Sequence, residues 1–202
     1  MSAPFKPTYL FDIGNVLLYF DYRRFTAAVA EHCSIPEEKM WEKASHLSRT
    51  LESEGLSTDD FLERIFEALG YTGEREFFIR SWQDIFTANA ETFALVRALS
   101  KRGHGLYLLS NTNQLHVDYF LNQYDIFEHF DGHVFSHEVG CAKPDPKIYE
   151  MTAETLGLVP EETLYLDDLE ANVNAGDAFG FRSVRYEGQT AGQLLPEVLW
   201  ER

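Results

Sequence analysis

The 202-residue sequence has few cysteines, few basic residues and no long hydrophobic run. Its two cysteines, Cys33 and Cys141, are far apart and form no CxxC pattern, which favours reduced thiols over the disulfide framework of a secreted protein. The 17 lysines and arginines are outnumbered by 33 acidic residues, which gives a net charge of −16 at pH 7. Because such a surface repels phosphate backbones and anionic lipids, the composition argues against nucleic acid and membranes as partners.

Several segments and motifs are also missing. No apolar run approaches the roughly 20 residues that a membrane-spanning helix needs, and residues 1–7 lack the charged and apolar regions of a signal peptide. The GxGxxG, Walker, GxSxG and HExxH patterns do not occur, which removes the enzyme classes that depend on them. We therefore expect a cytoplasmic protein, a monomer or a weak homodimer, whose partner is a small molecule.

The sequence does contain a regular alternation of short apolar strands and amphipathic helical stretches. Strands are predicted at residues 9–11, 106–109, 133–135, 163–166 and 182–184, and helical stretches separate them. This alternation predicts an α/β fold, namely a Rossmann-like parallel sheet with helices on both faces.

The segment between the first and second strands has a different character. From residue 22 to residue 84 we find helical patterns and no strand pattern, with Thr58 as a predicted N-cap and Gly70 as a predicted helix end. We expect residues 1–18 and 88–202 to form the α/β core domain and residues 19–87 to form a helical cap domain inserted after strand 1. The aromatic residues of this segment are spaced as a helical core, although Trp82 is also placed to contact a ligand.

Polar residues end three of the five predicted strands: Asp12, Ser110-Asn111 and Asp167-Asp168. In open parallel sheets, ligands bind beyond the carboxyl ends of the strands, so we expect these residues to meet at one edge. The three aspartates would repel one another there unless a cation is present. Because carboxylate oxygens are suitable ligands for Mg²⁺, the sequence predicts a magnesium site.

Lys143 is the lysine beside a rigid turn near this edge. It lies in GCAKPDP, residues 140–146, between a glycine and two prolines. Most lysines are solvated surface residues, but a lysine restrained in this way predicts a positive charge held in one place.

Four ordered segments carry these residues: FDIGNV at 11–16, LSNT at 109–112, KPD at 143–145 and LDD at 166–168. Together they resemble the four motifs of the haloacid-dehalogenase-like (HAD) hydrolases, and the resemblance spans the whole chain, including the inserted cap. The segments FDIGNV, SNTNQLH and KPDPKIY are most similar to the bacterial members that resemble α-D-glucose-1-phosphate phosphatase.

The resemblance implies a role for each motif. Asp12 would be the nucleophile, attacking phosphorus to form an aspartyl-phosphate that water then hydrolyses. Ser110 and the backbone of Asn111 would bind phosphate oxygens. Lys143 would neutralise charge on the nucleophile and on the transferred phosphoryl group.

The same resemblance implies the metal ligands. Mg²⁺ would be held by Asp12, the carbonyl of Gly14 and Asp168, with Asp167 close by or behind them. The ion would shield the nucleophile from the phosphate and stabilise charge in the transition state.

One residue departs from the family pattern. Most phosphatases of the family carry a second aspartate two residues after the nucleophile, where it protonates the leaving group, and this chain has Gly14 there. Losing a general acid typically costs about 10²- to 10⁴-fold in rate. Three hypotheses stay open: a phosphatase for good leaving groups, a 2-haloacid dehalogenase-type hydrolase, and a catalytically weak phospholigand-binding protein. The adjacent Asp167 and Asp168 favour the phosphatase, because dehalogenation needs no metal.

The expected substrate is a small phosphorylated metabolite. Without an acid at position 14, esters whose leaving oxygen departs easily as an anion are favoured, and the resemblance implies a sugar phosphate such as glucose 1-phosphate. Tyr19, Asp21 and Glu54, near the junction of the cap, are candidate substrate contacts, although surface and turn roles suit them equally.

Overall fold

The computed structural model describes residues 6–53 and 56–199. The strands within these residues are β1 (Thr8–Phe11), β2 (Leu18–Phe20), β3 (Phe86–Ala88), β4 (Leu106–Ser110), β5 (Gly132–Phe135), β6 (Thr163–Asp167) and β7 (Arg182–Arg185). Five of them form one parallel sheet in the order β5-β4-β1-β6-β7, with β1 at its centre. All five strands predicted from the sequence are present in this sheet.

The central strand is buried on both of its faces. Tyr9 and Phe11 belong to one hydrophobic cluster, whereas Leu10 belongs to a second. This separation follows from the alternation of side chains along a strand. Strands β4 and β6 contribute alternate residues to the same two clusters. The predicted α/β fold, with helices covering both faces of a parallel sheet, is confirmed.

The helices connect these strands along the chain. Helices α1 (Tyr22–Val29), α2 (Glu37–Ser53), α3 (Thr58–Leu69) and α4 (Arg75–Gln83) lie between β2 and β3. The others are α5 (Ala90–Lys101), α6 (Gln114–Gln123), α7 (Ser136–Val139), α8 (Pro146–Leu156), α9 (Glu170–Phe179) and α10 (Pro196–Leu199). Among the described residues, every helix is too short or too polar to cross a bilayer.

The N-cap of helix α3 lies one residue before the predicted one. Ser57, not Thr58, is the N-cap, since its Oγ accepts a hydrogen bond from the backbone N–H of Asp60 at 3.1 Å. The predicted end at Gly70 is confirmed, because its φ of +60° lies in the left-handed region that glycine adopts without strain.

The pair of strands β2 and β3 was not predicted. They are antiparallel, with Leu18 opposite Ala88 and Phe20 opposite Phe86, and each crosses a predicted domain boundary. Each strand has three residues, which is too short to show a recognisable alternation, and the two partners are far apart in the sequence. The division into residues 1–18 and 88–202 and residues 19–87 stays a prediction.

Most aromatic residues of α1 to α4 form the interior of this helical segment, whereas Trp41 on α2 is 38% exposed. Trp82 is fully buried and packs edge-on against Phe25, with their ring centroids 4.9 Å apart. It also packs against Phe61 and Phe78. Of the two roles open to Trp82 from the sequence, the structure supports the packing role. Cys33 and Cys141 are both free.

Candidate active site

The carboxyl ends of β1, β4 and β6 bring the predicted polar residues to one edge of the sheet. Asp12 directly follows β1, and its backbone N–H donates to the carbonyl of Leu166 on β6 at 2.9 Å. Ser110 is the last residue of β4 and Asp167 is the last residue of β6. Because neighbouring parallel strands end at the same edge, residues about 100 and 155 positions apart in sequence meet there.

Asp12 is buried, and three groups converge on one of its carboxylate oxygens. Its Oδ1 accepts hydrogen bonds from Ser110 Oγ at 2.8 Å and from the backbone N–H of Ile13 at 2.7 Å, and it lies 3.0 Å from Lys143 Nζ. Burial raises the pKa of Asp12 to about 6, and the charge of Asp167 adds to this, while Lys143 opposes it. The carboxylate is therefore held in one orientation with a cation beside it.

Lys143 supplies that cation from a buried position. Its Nζ lies 3.0 Å from Asp12 Oδ1, and it donates to Asp167 Oδ2 at 2.6 Å and to the carbonyl of Leu109 at 3.0 Å. Burial alone would lower the pKa of Lys143, but the charges of Asp12 and Asp167 raise it above its ordinary value. Since an ammonium group has three donors, these three acceptors fix its position completely. The structure thus contains the localised positive charge expected from the rigid turn.

Asn111 holds the backbone of Lys143 in place. Its Nδ2 donates to the carbonyl of Lys143 at 2.9 Å, and its Oδ1 accepts from the backbone N–H of Lys143 at 2.9 Å. The side chain is therefore used within the protein, which leaves the backbone of Asn111 for the predicted contact with phosphate.

Asp167 is fully buried and has the larger set of protein partners. Its carboxylate accepts from Lys143, from the hydroxyl of Tyr165 at 2.5 Å, from Asn172 Nδ2 at 2.9 Å and from the backbone N–H of Leu169 at 2.9 Å. Although burial acts in the opposite direction, Lys143 and these hydrogen bonds lower the pKa of Asp167. Asp167 is therefore an ionised anchor for Lys143.

Asp168 is half-buried and is bound by fewer protein groups. Its Oδ2 accepts a hydrogen bond from Asn15 Nδ2 at 3.0 Å, and burial raises its pKa. Asn15 reaches this position from a tight turn, in which it adopts a left-handed φ of +53°, a conformation that asparagine tolerates better than most residues. The turn follows Gly14, which also lines the site.

The three aspartates form a group that suits a divalent cation. Asp12, Asp167 and Asp168 each offer one carboxylate oxygen, and these oxygens lie within 4.8 Å of one another. Hard anionic oxygens gathered at this spacing are the donors that Mg²⁺ prefers. The residues present therefore fit the predicted cofactor. The carbonyl of Gly14 as a further ligand stays a prediction.

A cavity of about 340 Å³ lies over this group, and residues of the sheet edge and of the helical segment form its walls. The residues of the sheet edge that line it include Asp12, Gly14, Ser110, Asn111, Lys143 and Asp168. Tyr22 of α1 and Arg49 and Glu52 of α2 line it from the helical segment. A second, larger groove of about 620 Å³ lies between α1, α4 and α6 and contains none of the predicted site residues.

Some residues of the site were missed in the sequence. Tyr165 lies two residues before Asp167 on the same strand, and Asn172 lies five residues after it on α9, so local spacing alone could have identified both as partners of Asp167. Glu52 has no such signal, since it lies 40 positions after Asp12 on a separate helix and nothing in the local spacing places it at the site.

Two of the predicted substrate contacts near the cap junction, Tyr19 and Asp21, are not among the residues that line this cavity. Tyr19 is 45% exposed, and Asp21 is the N-cap of α1, where its Oδ1 accepts from the backbone N–H of Arg23 at 3.0 Å. Asp21 serves to start a helix, which explains its sequence position without a ligand. Glu54 lies outside the described residues.

Comparisons with known proteins match this arrangement to one family. The family described as haloacid dehalogenase-like hydrolase matches residues 7–180. The chain is 24% identical to a D-ribitol-5-phosphate phosphatase of Bacteroides thetaiotaomicron over 88% of its length and 90% of that protein. It is 27% identical to a phosphorylated carbohydrates phosphatase of Thermotoga maritima over 87% of its length and 82% of that protein.

A solved structure has the same fold. A HAD-family enzyme of Bacteroides thetaiotaomicron, crystallised as a magnesium complex, superposes with a TM-score of 0.80 at 23% identity, over 98% of this chain and 100% of that one. The specific closeness to glucose-1-phosphate phosphatases that the motifs implied is not shown by these comparisons. The family match extends over residues 7–180, which is most of the sequence. The chain belongs to the haloacid dehalogenase-like hydrolases.

Proposed function

We propose that this hydrolase is a Mg²⁺-dependent phosphomonoesterase that acts on small phosphorylated carbohydrates through an aspartyl-phosphate. The observation that carries the proposal is the position of Asp12, a buried carboxylate fixed by Ser110 and Lys143 beside two further aspartates. The two phosphatase relatives, whose names specify ribitol 5-phosphate and phosphorylated carbohydrates, support the substrate class.

Each residue of the sheet edge has a part in the proposed reaction. Asp12 attacks phosphorus, so that one of its oxygens forms a bond to phosphorus while the bond to the leaving oxygen breaks. Ser110 and the backbone of Asn111 bind the phosphoryl oxygens. Lys143 offsets the negative charge that Asp12 and the phosphoryl group bring together, and it needs no rearrangement because its three contacts already fix it.

The proposed metal ligands are Asp12, Asp168 and the carbonyl of Gly14. Asp167 is assigned to hold Lys143, because its oxygens already accept several hydrogen bonds from the protein. When bound, Mg²⁺ supplies positive charge that reduces the repulsion between a carboxylate nucleophile and a phosphate.

A second candidate function is hydrolytic dehalogenation, and Gly14 is the observation that favours it. A halide departs without a proton, so a dehalogenase has no need of an acid two residues after the nucleophile. The cluster of three aspartates favours the phosphatase, since a carbon–halogen bond can be displaced without a metal. A weak phospholigand-binding protein is the third hypothesis.

The choice of ester depends on the leaving oxygen. Glucose 1-phosphate is proposed as a favoured substrate, because its anomeric oxygen is a better leaving group than an ordinary alkoxide. The relative that acts on ribitol 5-phosphate has an ordinary alcohol as its product. Gly14 has no side chain that could donate a proton. If the present chain also hydrolyses such esters, another residue must protonate the leaving oxygen.

The decisive assay measures phosphate release with and without metal. We expect Mg²⁺ to activate, and a chelator to abolish, hydrolysis of p-nitrophenyl phosphate and of sugar phosphates. The variant Asp12→Asn should remove turnover, because an amide oxygen is a poor nucleophile. Full hydrolytic activity in the presence of chelator, together with chloride release from 2-chloropropionate, would contradict the phosphatase hypothesis and support the dehalogenase hypothesis. If the protein binds phosphate but hydrolyses no ester, the third hypothesis, a weak phospholigand-binding protein, would be favoured.

A further inference from the structure

The sheet edge lacks a group that can give a proton to a departing alkoxide. Gly14 has no side chain, Lys143 donates to three protein acceptors, and Asp12 is the proposed nucleophile. An alkyl phosphate nevertheless needs such a proton, since general acid catalysis is worth about 10²- to 10⁴-fold in rate. The other wall of the cavity contains a candidate.

Glu52 belongs to the last turn of α2 and lines the same cavity as Asp12 and Ser110. It is half-buried, and its Oε1 accepts a hydrogen bond from Ser48 Oγ at 2.9 Å. Because Oε1 already serves as an acceptor, the acid form of Glu52 carries its proton on Oε2. The carboxyl group is thus fixed by one oxygen, and within the described part of the chain no hydrogen bond engages the other, which can act as a donor.

The surroundings of Glu52 favour the protonated form. Burial raises the pKa of Glu52 to about 7, while the Ser48 hydroxyl and the charge of Arg49 oppose the shift. Its place at the carboxyl end of a helix, where the backbone carbonyls carry partial negative charge, acts in the same direction as burial. Tyr22 lines the same cavity, and the charge of Glu52 contributes to raising the pKa of that phenol.

The other titratable groups that line the cavity are less suitable as proton donors. His116 is buried, its two ring nitrogens contact Asn113 and the carbonyl of Trp82, and burial lowers its pKa to about 4. Burial raises the pKa of Tyr22, which makes it a weaker acid. Lys143 and Arg49 are cations, and Asp12 and Asp168 belong to the proposed metal site. Glu52 is the remaining carboxylic acid among the described residues of the cavity.

We propose that Glu52 is the general acid and base of the reaction, acting from helix α2 in place of the aspartate that most phosphatases of the family carry at the position of Gly14. This inference rests on the proposed phosphatase function. It also assigns the helical segment a part in the chemistry, beyond that of covering the site.

The proton and bond changes balance over the two steps. In the first, an Asp12 oxygen bonds to phosphorus, the bond to the leaving oxygen breaks, and Glu52 gives its proton to that oxygen, which releases an alcohol. In the second, the Glu52 carboxylate takes a proton from water as the water oxygen bonds to phosphorus and the acyl-phosphate bond breaks. Inorganic phosphate leaves, and both side chains return to their starting states.

The test compares leaving groups in the full-length protein. For Glu52→Gln, we expect kcat for glucose 6-phosphate to fall by about 10²- to 10⁴-fold, because its alkoxide requires a proton. In the first turnover, which precedes hydrolysis of the aspartyl-phosphate, the same variant should release p-nitrophenolate from p-nitrophenyl phosphate within about threefold of the wild-type rate, because this leaving group departs as a stable anion. The loss of rate on glucose 1-phosphate should be intermediate between the losses on the other two esters. Glu42→Gln, an exposed change on the same helix, is the matched control and should alter none of the three.

The wild-type pH profile gives a second readout that needs no variant. Activity on glucose 6-phosphate should fall as Glu52 loses its proton near and above pH 7, while activity on p-nitrophenyl phosphate should lack this alkaline limb. An equal loss of the first-turnover rate on all three substrates in Glu52→Gln, or the same alkaline limb for both esters, would overturn the assignment and make Glu52 a packing or binding residue. If wild type shows no Mg²⁺-dependent hydrolysis of p-nitrophenyl phosphate, the proposed function itself fails.

Discussion

Asn111 and Lys143 are joined by two hydrogen bonds between a side chain and a backbone, each of 2.9 Å. The amide of Asn111 satisfies both the N–H and the carbonyl of Lys143, as a neighbouring strand would. Lys143 lies in a loop, so this pairing supplies the backbone restraint that regular secondary structure does not. The position of its ammonium group beside Asp12 and Asp167 depends on that restraint.

Replacement of Asn111 by alanine should therefore disturb Lys143. Leaving the two backbone groups without partners is expected to cost about 1–3 kcal/mol in the free energy of unfolding. We expect kcat to fall more than KM rises, because the displaced charge acts mainly on the transition state. Urea unfolding and steady-state kinetics measure the two effects, with Asn174→Ala, an exposed asparagine on α9, as the control. Unchanged kcat would show that Lys143 needs no such restraint.

Removal of the Lys143 charge should have a larger effect. Lys143→Met leaves two buried carboxylates without their cation, which is expected to destabilise the fold by about 3–5 kcal/mol near neutral pH. Lys143 lowers the pKa of Asp167 from its ordinary value of 3.8. The stabilisation that this ion pair gives the folded state is therefore present above pH 3.8 and is lost as the pH falls further. The difference from wild type should thus shrink toward pH 3. Lys147→Met, an exposed change, is the control.

The two adjacent aspartates should respond differently to substitution. Asp168→Asn is expected to raise the Mg²⁺ concentration for half-maximal activity by about 10- to 100-fold, as loss of a metal ligand or of a group supporting one does. Asp167→Asn should instead lower stability, because it removes the partner of Lys143. A magnesium titration followed by urea unfolding separates these outcomes. The reverse pattern would exchange the proposed roles.

An acid restored at position 14 should take over from Glu52. A Cβ at Gly14 would lie 3.1 Å from Phe20 Cε1, and Phe20 is 37% exposed, so its ring can move aside. Wild type should prefer glucose 1-phosphate to glucose 6-phosphate, and Gly14→Asp should narrow this ratio of kcat/KM. In the Glu52→Gln background, Gly14→Asp should recover at least about tenfold on glucose 6-phosphate. Gly14→Asn controls for shape. A wild-type preference for the 6-phosphate would refute the leaving-group argument.

The raised pKa of Glu52 also predicts a dependence of stability on pH. Its pKa rises from the ordinary 4.5 to about 7 on folding, so the folded state holds a proton that the unfolded state has released between these values. The free energy of unfolding therefore falls as the pH rises through this window. The free energy of unfolding of Glu52→Gln, measured relative to that of wild type, should therefore increase by roughly 2 kcal/mol between pH 5 and pH 8. A pH-independent difference in urea unfolding would contradict the shift.

The order of strands and helices follows from local patterns in the sequence. Short apolar runs such as residues 106–109 have no solvent-facing alternation, which indicates burial on both faces, and glycine or proline marks the adjoining helix ends. The gathering of Asp12, Ser110 and Asp167 was also predictable. Once parallel strands are inferred, the polar residues at their carboxyl ends must share one edge.

Only the tertiary structure decided how these residues are connected. Lys143 is shared between Asp12 and Asp167, and Asp167 has partners that Asp168 lacks, because a loop and two strand ends meet in three dimensions. The pair β2 and β3 forms across more than 60 residues, and Glu52 enters the cavity because α2 packs over the sheet edge. Contacts of this kind depend on how separate elements pack, and no local periodicity encodes that packing.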